Sequence, residues 1–234
     1  VLYKRILLKL SGEFFGNSNQ LGLNATRLQT IAQQLDQLVS HQVQVGIVIG
    51  GGNLVRGYQL AENQINRVIA DQMGMLATAI NGLALRDALE QKNIPTRLVS
   101  ALLISGMLER HNPRDVNRYL REGDIVILCG GTGNPFFTTD TAACLRAIEI
   151  NADIMFKATK VDGIYDKDPM KNKEARKYDK LTYDQAIGLN LEVMDLTAIT
   201  LARDHKMPIR VFDMLSTGLM DMMQDKKLGT LISN

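Results

Sequence analysis

Four short runs place cations, hydroxyls or carboxylates beside glycine. They are Lys9-Leu10-Ser11-Gly12; Gly50-Gly51-Gly52-Asn53 with Arg56 just beyond; Gly130-Gly131-Thr132-Gly133-Asn134-Pro135-Phe136-Phe137-Thr138-Thr139-Asp140; and Lys157-Ala158-Thr159-Lys160-Val161-Asp162-Gly163, trailed by Tyr165, Asp166, Asp168 and Pro169. Glycine lets the main chain bend sharply and approach a ligand closely at low steric cost. Hydroxyls and a following helix start offer donors to an anion, and lysine or arginine adds charge. The chemistry this combination suits is the holding of phosphate groups.

Such runs work only if strands and helices present them together. Apolar stretches precede each one: Ile6 to Leu10, Val43 to Ile49, Ile125 to Cys129, and the strand that starts at Asp153. Asn24 reads as the N-cap of a helix with Leu28, Ile31, Ala32, Leu35, Leu38 and Val39 at helical spacing. Residues 63–92 read as a long helical region with breaks expected at Gly74 or Gly82. Its apolar stripe is Met73, Leu76, Ala77, Ile80, Leu83 and Ala84, with Met75 and Leu85 off it. Being apolar nearly all round, it is either sandwiched within the protein or packed against another copy. Ile94 to Val99 predicts a short strand, Asn112-Pro113 a helix start, and Thr141 to Ile150 a helix. Thr182 and Asp195 suit two further helix caps, and Ile209 to Phe212 and Thr230 to Ile232 two late strands. Strand and helix alternate throughout. The expected fold is α/β, a three-layer αβα sandwich about a mostly parallel sheet, with glycine turns at the carboxyl ends of strands.

Single residues admit two readings each. Lys9 is either a strand-edge lysine reaching water along its stem or a phosphate ligand at a strand's carboxyl end, where open α/β sheets bind ligands. Arg56 is a solvated charge or a phosphate contact. Asp71 can be a carboxylate stabilised by a helix start. Lys157 and Lys160 with Tyr165, Asp166 and Asp168 make a solvated hairpin, or an adenine-nucleotide site with a ring to stack, charge for phosphates and acids for ribose or magnesium. A Gly-x-x-x-x-Gly-Lys-Ser/Thr loop is absent, as are Gly-x-Gly-x-x-Gly after a strand and the protein-kinase signatures. What remains is a phosphate site assembled from separate turns and a strand-end lysine.

The four runs, and Asp195-Leu196 through Pro208-Ile209-Arg210-Val211-Phe212, closely resemble the bacterial-type UMP kinases of the amino acid kinase superfamily. The Thr132 to Asp140 run is the specific part; the triple glycine alone also suits carbamate, acetylglutamate or aspartate kinases. The resemblance implies the amino acid kinase fold in one domain, with a UMP-binding lobe over about residues 1–150 and an ATP-binding lobe over about 151–234. It implies transfer of the ATP γ-phosphoryl group to UMP with Mg²⁺. Lys9, Leu10, Ser11, Gly12, Gly52, Arg56, Thr159, Tyr165 and Asp168 would then serve ATP. Gly51, Asp71, Thr132, Gly133, Asn134, Pro135, Phe136, Phe137, Thr138 and Thr139 would serve UMP, Asp71 through the ribose hydroxyls. Lys9, Arg56 and Asp140 would be catalytic. The metal would ride on the phosphates, with Asp140 or Asp195 as its nearest carboxylates; Asp195 is equally a helix cap. The resemblance further implies a homohexamer, activation by GTP and inhibition by UTP. Two rival functions are a non-catalytic nucleotide sensor and a related kinase acting on a carboxylate or carbamate.

Composition fits an ordinary globular protein: 234 residues, 45% apolar, 22% charged, net charge +2. So small a charge gives no footprint for nucleic-acid binding. Cys129 and Cys144 are expected as reduced thiols in a cytoplasmic protein. His41, His111 and His205 lack zinc-ligand spacing. The N-terminus reads as a strand rather than a leader, and Met73 to Leu85 as too short to span a bilayer.

Overall fold

A computed structural model describes residues 1–16, 22–55, 64–189, 191 and 194–234. In chain order its elements are β1 (Arg5–Leu10), α1 (Ala25–Ser40), β2 (Gln44–Ile49), α2 (Arg67–Glu90), β3 (Thr96–Ser100), β4 (Glu109–Arg110), α3 (Pro113–Glu122), β5 (Ile125–Cys129) and α4 (Thr139–Glu149). Then come β6 (Ile154–Thr159), β7 (Ile164–Tyr165), β8 (Lys177–Tyr178), β9 (Lys180–Leu181), α5 (Tyr183–Gly188), α6 (Leu196–Asp204), β10 (Ile209–Asp213), α7 (Leu219–Gln224) and β11 (Thr230–Ile232). A nine-stranded sheet has the order β4-β3-β5-β2-β1-β6-β10-β11-β9. Every neighbouring pair in it is parallel except β10 and β11, while β7 and β8 form a separate antiparallel hairpin.

Alternation along the strands builds one core on each face. Ile6, Leu8 and Leu10 of β1 join Ile47, Ile127 and Phe156 under α1, α2 and α7. Leu7 joins Val48, Val126, Leu128 and Met155 under α3, α4, α5 and α6. Both faces are therefore covered, as a parallel sheet requires. The chain leaves β1 toward β2 on one side and reaches β6 on the other, so the crevice above β1 and β6 lies where the winding reverses. Open α/β sheets place ligands at such points.

The caps read from sequence are present. The Asn24 carboxamide oxygen accepts from Arg27 N at 3.0 Å, Asn112 caps α3 with Pro113 behind it, and Thr182 forms a capping box with Gln185. The two-residue strands and α7 carried no such signal; the cap of α7, Gly218, has no side chain to bond with.

Helix α2 departs from expectation. It runs unbroken through Gly74 and Gly82. Leu76 and Ile80 of the expected core stripe are half exposed, whereas Met75, Leu85, Thr78 and Asn81 are buried. From Met73 to Leu85 the helix is almost wholly apolar and cannot fix its inner face by hydrophobicity, so other contacts decide. At 24 residues it is also long and apolar enough to cross a membrane by length and composition, unlike the shorter segment read from sequence. Its buried face lies on the sheet, where Gly82 is so close to Cys129 that an added Cβ would stand 2.5 Å from Sγ.

Candidate active site

Two clefts open at the carboxyl ends of the strands. The first, about 600 Å³ and open to solvent, has Gly51, Gly52, Asp71, Thr132, Asn134, Phe137, Thr138 and Thr139 in its wall, with Ala70, Gly74, Met75 and Thr78 of α2 behind them. The second, about 940 Å³, is framed by Val161, Gly163, Tyr165, Asp168 and Pro169 on one side and Leu189 and Leu191 on the other. Most of the residues assigned to UMP thus line one cleft, and two assigned to ATP line the other.

The three glycines after β2 are small for two reasons. A Cβ on Gly50 would stand 2.8 Å from Gly12 N, and one on Gly51 would strike Gly74 O at 2.7 Å. A Cβ on Gly52 would meet nothing within 4 Å. Packing fixes the first two; the open space at Gly52 leaves room for a ligand to approach the backbone. The turn after β5 demands glycine through conformation instead, with φ of 77° at Gly130 and 82° at Gly133. Phe136 shares this left-handed region at φ 71°, a costly setting for a bulky residue, on the order of 1–3 kcal/mol. Its N–H donates to Asp71 Oδ2 at 2.8 Å, and Asp71 is held in turn by Arg67 Nε at 2.9 Å from each oxygen. Asp71 is the fifth residue of α2, whose cap is Asn66, so it acts as a tie across the cleft rather than as a helix-start carboxylate.

Between the clefts lies a charge cluster. Lys9 and Lys157 stand side by side in register on β1 and β6. Both reach Asp140 in the first turn of α4: Lys157 Nζ donates to Oδ2 at 2.6 Å, and Lys9 Nζ stands 2.8 Å from Oδ1 as an ion pair outside hydrogen-bond alignment. All three are largely buried. Burial alone would raise the Asp140 carboxyl, but Lys9 and Lys157 more than offset it and hold it below the usual carboxylate range. Burial lowers Lys157, with Asp140 opposing. Two lysines gather on Asp140, with Asp195 also acting on Lys157, so an incoming phosphate would meet two fixed ammonium groups. The reading of Lys9 as a water-seeking edge lysine is therefore set aside.

Sequence reading gave Lys157 no catalytic part and offered it only as one of two lysines supplying charge to phosphates beside the adenine loop. Its signal was present: a lysine that interrupts an apolar strand near its carboxyl end, as Lys9 does. It missed Thr141 as well. Asp195 accepts from Thr138 Oγ1 in a short hydrogen bond and from Thr141 Oγ1 at 2.8 Å, while capping α6 through Ala198 N at 2.8 Å. Thr138 in turn accepts from the amides of Asp140 and Thr141, so the start of α4 is partly satisfied by protein rather than wholly open to an anion.

Other expected residues stand as follows. Arg56 lies outside the described residues. Leu10 is fully buried and has only main chain to offer a nucleotide. Ser11 accepts from Glu13 N and caps a 3-10 turn in which Gly12 abuts Gly52. Gly133, Pro135 and Phe136 are not in the cleft wall. The Thr159 hydroxyl is spent on Val161 O at 2.6 Å and Phe212 O, which anchors the second cleft's loop without lining it. Tyr165 donates to Asp162 Oδ1 at 2.6 Å, a bond that pushes its phenol up to about 12. Cys129 and Cys144 are free and buried, and burial raises both thiols, which makes neither a nucleophile.

A parallel sheet with glycine turns at its strand ends and a buried lysine pair on one carboxylate defines a phosphate-handling α/β protein without a P-loop. Residues 4–213 match the model of the amino acid kinase family, and the chain belongs to that family. It is 57% identical over 231 residues to the uridylate kinase of Alcanivorax borkumensis, covering 98% of this chain and 92% of that one. The UMP kinase of Bacillus anthracis superposes with a TM-score of 0.95 at 39% identity, covering 100% of this chain and 97% of that one. The Ureaplasma parvum UMP kinase gives 0.92 at 33% identity, with 99% of each chain covered.

Proposed function

We propose that this chain is a UMP kinase, transferring the γ-phosphoryl group of ATP to UMP to give UDP and ADP. The observation that carries the reading is the Lys9–Asp140–Lys157 cluster set between two clefts, in a chain whose relatives are named uridylate kinases. Phosphoryl transfer asks the protein for in-line positioning and charge neutralisation. The UMP phosphate is itself the nucleophile, so no general base is needed. Lys9 and Lys157 offset the repulsion between the two anions, and Asp140 keeps their ammonium groups fixed without neutralising both. UMP occupies the cleft between Gly51 and Thr132–Thr139, and ATP the cleft by Tyr165 and Asp168, with its phosphates toward Lys9, Ser11, Gly12, Gly52 and Arg56. In this assignment the first 150 residues or so serve UMP and the rest chiefly ATP.

Mg²⁺ fits this donor set as an ion carried by the nucleotide. Both oxygens of Asp140 face lysines and both of Asp195 face threonines, so neither carboxylate is set out as part of a protein cage. When bound, the metal supplies charge neutralisation on the phosphates. The half-exposed Ile69, Leu76 and Ile80 on the outer face of α2 support assembly of several copies, which we assign as a hexamer. A monomeric mass by light scattering would remove that assignment. GTP activation, UTP inhibition and a cytoplasmic setting complete the reading.

The test is ADP release with ATP and, in turn, UMP, CMP, carbamate and acetylglutamate. Turnover with UMP is expected; turnover only with a carboxylate or carbamate would reassign the enzyme, and none at all would make it a sensor. Asp71→Ala should raise KM for UMP about ten-fold with little change for ATP, because it loses both a cleft carboxylate and the tie to Phe136. The opposite pattern in titrations of the two nucleotides would exchange the clefts.

A further inference from the structure

We infer that α2 is a registering element for the reaction, with Thr78 and Asn81 as positioning residues that hold the two glycine turns in fixed relation to each other. The inference rests on the kinase reading above. Asp71, Gly74, Thr78 and Asn81 recur at steps of three and four along α2 and so share one face. That face is directed at the turns. Thr78 Oγ1 donates to Met75 O at 2.6 Å and accepts from Gly130 N at 2.8 Å, at the head of the turn after β5. One turn further along, Asn81 Nδ2 donates to Gly50 O at 2.8 Å and to Asn53 Oδ1 at 2.7 Å; Asn53 Nδ2 returns a bond to Asn81 Oδ1 at 3.0 Å and another to Gly22 O at 2.9 Å. Gly50 and Gly22 offer carbonyls that can only accept, which fixes the orientation of both amides. Gly50 N donates to Leu10 O, so the same turn is tied to β1.

The bland alternative is a pair of core polar residues that happen to be satisfied. Their partners argue against it. Thr78 is 2% exposed and Asn81 0%, in a stretch from Met73 to Leu85 that is otherwise apolar, where an aliphatic residue would pack without the cost of burying a polar group. The helix gains nothing for its own backbone from the Gly130, Gly50 and Asn53 bonds. All of them end on turns that belong to different strands, β2 and β5. Neither turn can drift along its strand axis without breaking a buried bond to the same rigid rod. A displacement of about 1 Å in such groups is enough to cost about a hundred-fold in rate.

Thr78→Val keeps the shape and removes the hydroxyl; Thr78→Ser keeps the hydroxyl. Thr78→Val should lower kcat/KM for UMP about ten-fold, with KM for ATP moving less than about two-fold, and Thr78→Ser should recover most of the loss. Asn81→Leu frees the turn at residues 50–53 and should lower kcat/KM for both nucleotides by about ten- to a hundred-fold. Independently of activity, hydrogen exchange at the Gly130 amide should quicken at least about ten-fold in Thr78→Val while amides within α2 keep their rates. Should Asn81→Leu fail to fold, the Thr78 pair and its exchange rates decide. Wild-type enzyme without UMP turnover would remove the kinase reading and leave the exchange result to judge the clamp. Wild-type turnover with Thr78→Val matching it in both nucleotides, or with unchanged exchange at Gly130, would overturn the clamp alone.

Discussion

Lys9→Ala is expected to cut UMP turnover by about two to three orders of magnitude while the chain remains folded. Lys9 is 7% exposed, at the carboxyl end of the central strand, with its ammonium 2.8 Å from Asp140. Its removal leaves Asp140 with Lys157 as its remaining lysine partner and takes away one of the two buried cations just where two phosphates must meet. A charge fixed before the reaction acts on the transition state without reorganisation, which is why its loss falls on kcat. The fold should survive because Asp140 keeps one charged partner and β1 keeps its apolar neighbours on both faces. Single-turnover measurements on ATP and UMP, with circular dichroism as the control, check both halves. Near-normal turnover would take Lys9 out of the mechanism.

Removing the carboxylate should do the reverse, striking stability hardest. Asp140→Ala leaves Lys9 and Lys157 buried side by side with their shared anion gone. Stranding a buried charge in this way costs about 3–5 kcal/mol, a large share of an ordinary domain's stability. The pH dependence should change character. In the wild type the folded-state pKa of Asp140 lies below its unfolded value, so its stabilisation is in full at neutral pH and is lost as pH falls through the folded pKa. In the variant a lysine whose folded pKa is already lowered by burial loses the largest of the carboxylate influences that oppose it, so folding is favoured further as that lysine gives up its proton. Urea midpoints should therefore rise more steeply with pH for Asp140→Ala than for wild type as pH climbs toward the ordinary lysine range. Parallel profiles for the two proteins would mean that the lysines do not feel each other.

Sequence reading reached the site through residues that break a local pattern. Lys9 interrupts an apolar strand, and the Gly130 to Asp140 run joins left-handed glycines to hydroxyls; each is visible within a dozen residues. Lys157 breaks its strand in the same manner. Its meaning depends on β6 lying beside β1, a pairing between residues 148 apart for Ile6 and Ile154 that no short-range pattern encodes. The same limit hid the bonds from Asp195 to Thr138 and Thr141. Helix α2 failed for a different reason. Leu76 and Ile80 are as apolar as Met75 and Leu85, so periodicity offered two equivalent faces. The choice was made by Thr78 and Asn81, whose polar groups went inward because their partners lie on turns distant in sequence.

The seam through the middle of the sheet carries a final implication. β1 pairs with β2 through all six of its residues and with β6 through Ile6 to Lys9, so the walls of both clefts grow from one bonded ribbon. Among the described residues the two walls share backbone hydrogen bonds rather than a linker. Nor can the molecule be divided: a fragment ending before β6 would lose the strand that flanks Lys9, and one starting there would lack β1. Each cleft's wall is conditional on the other half of the sheet being folded.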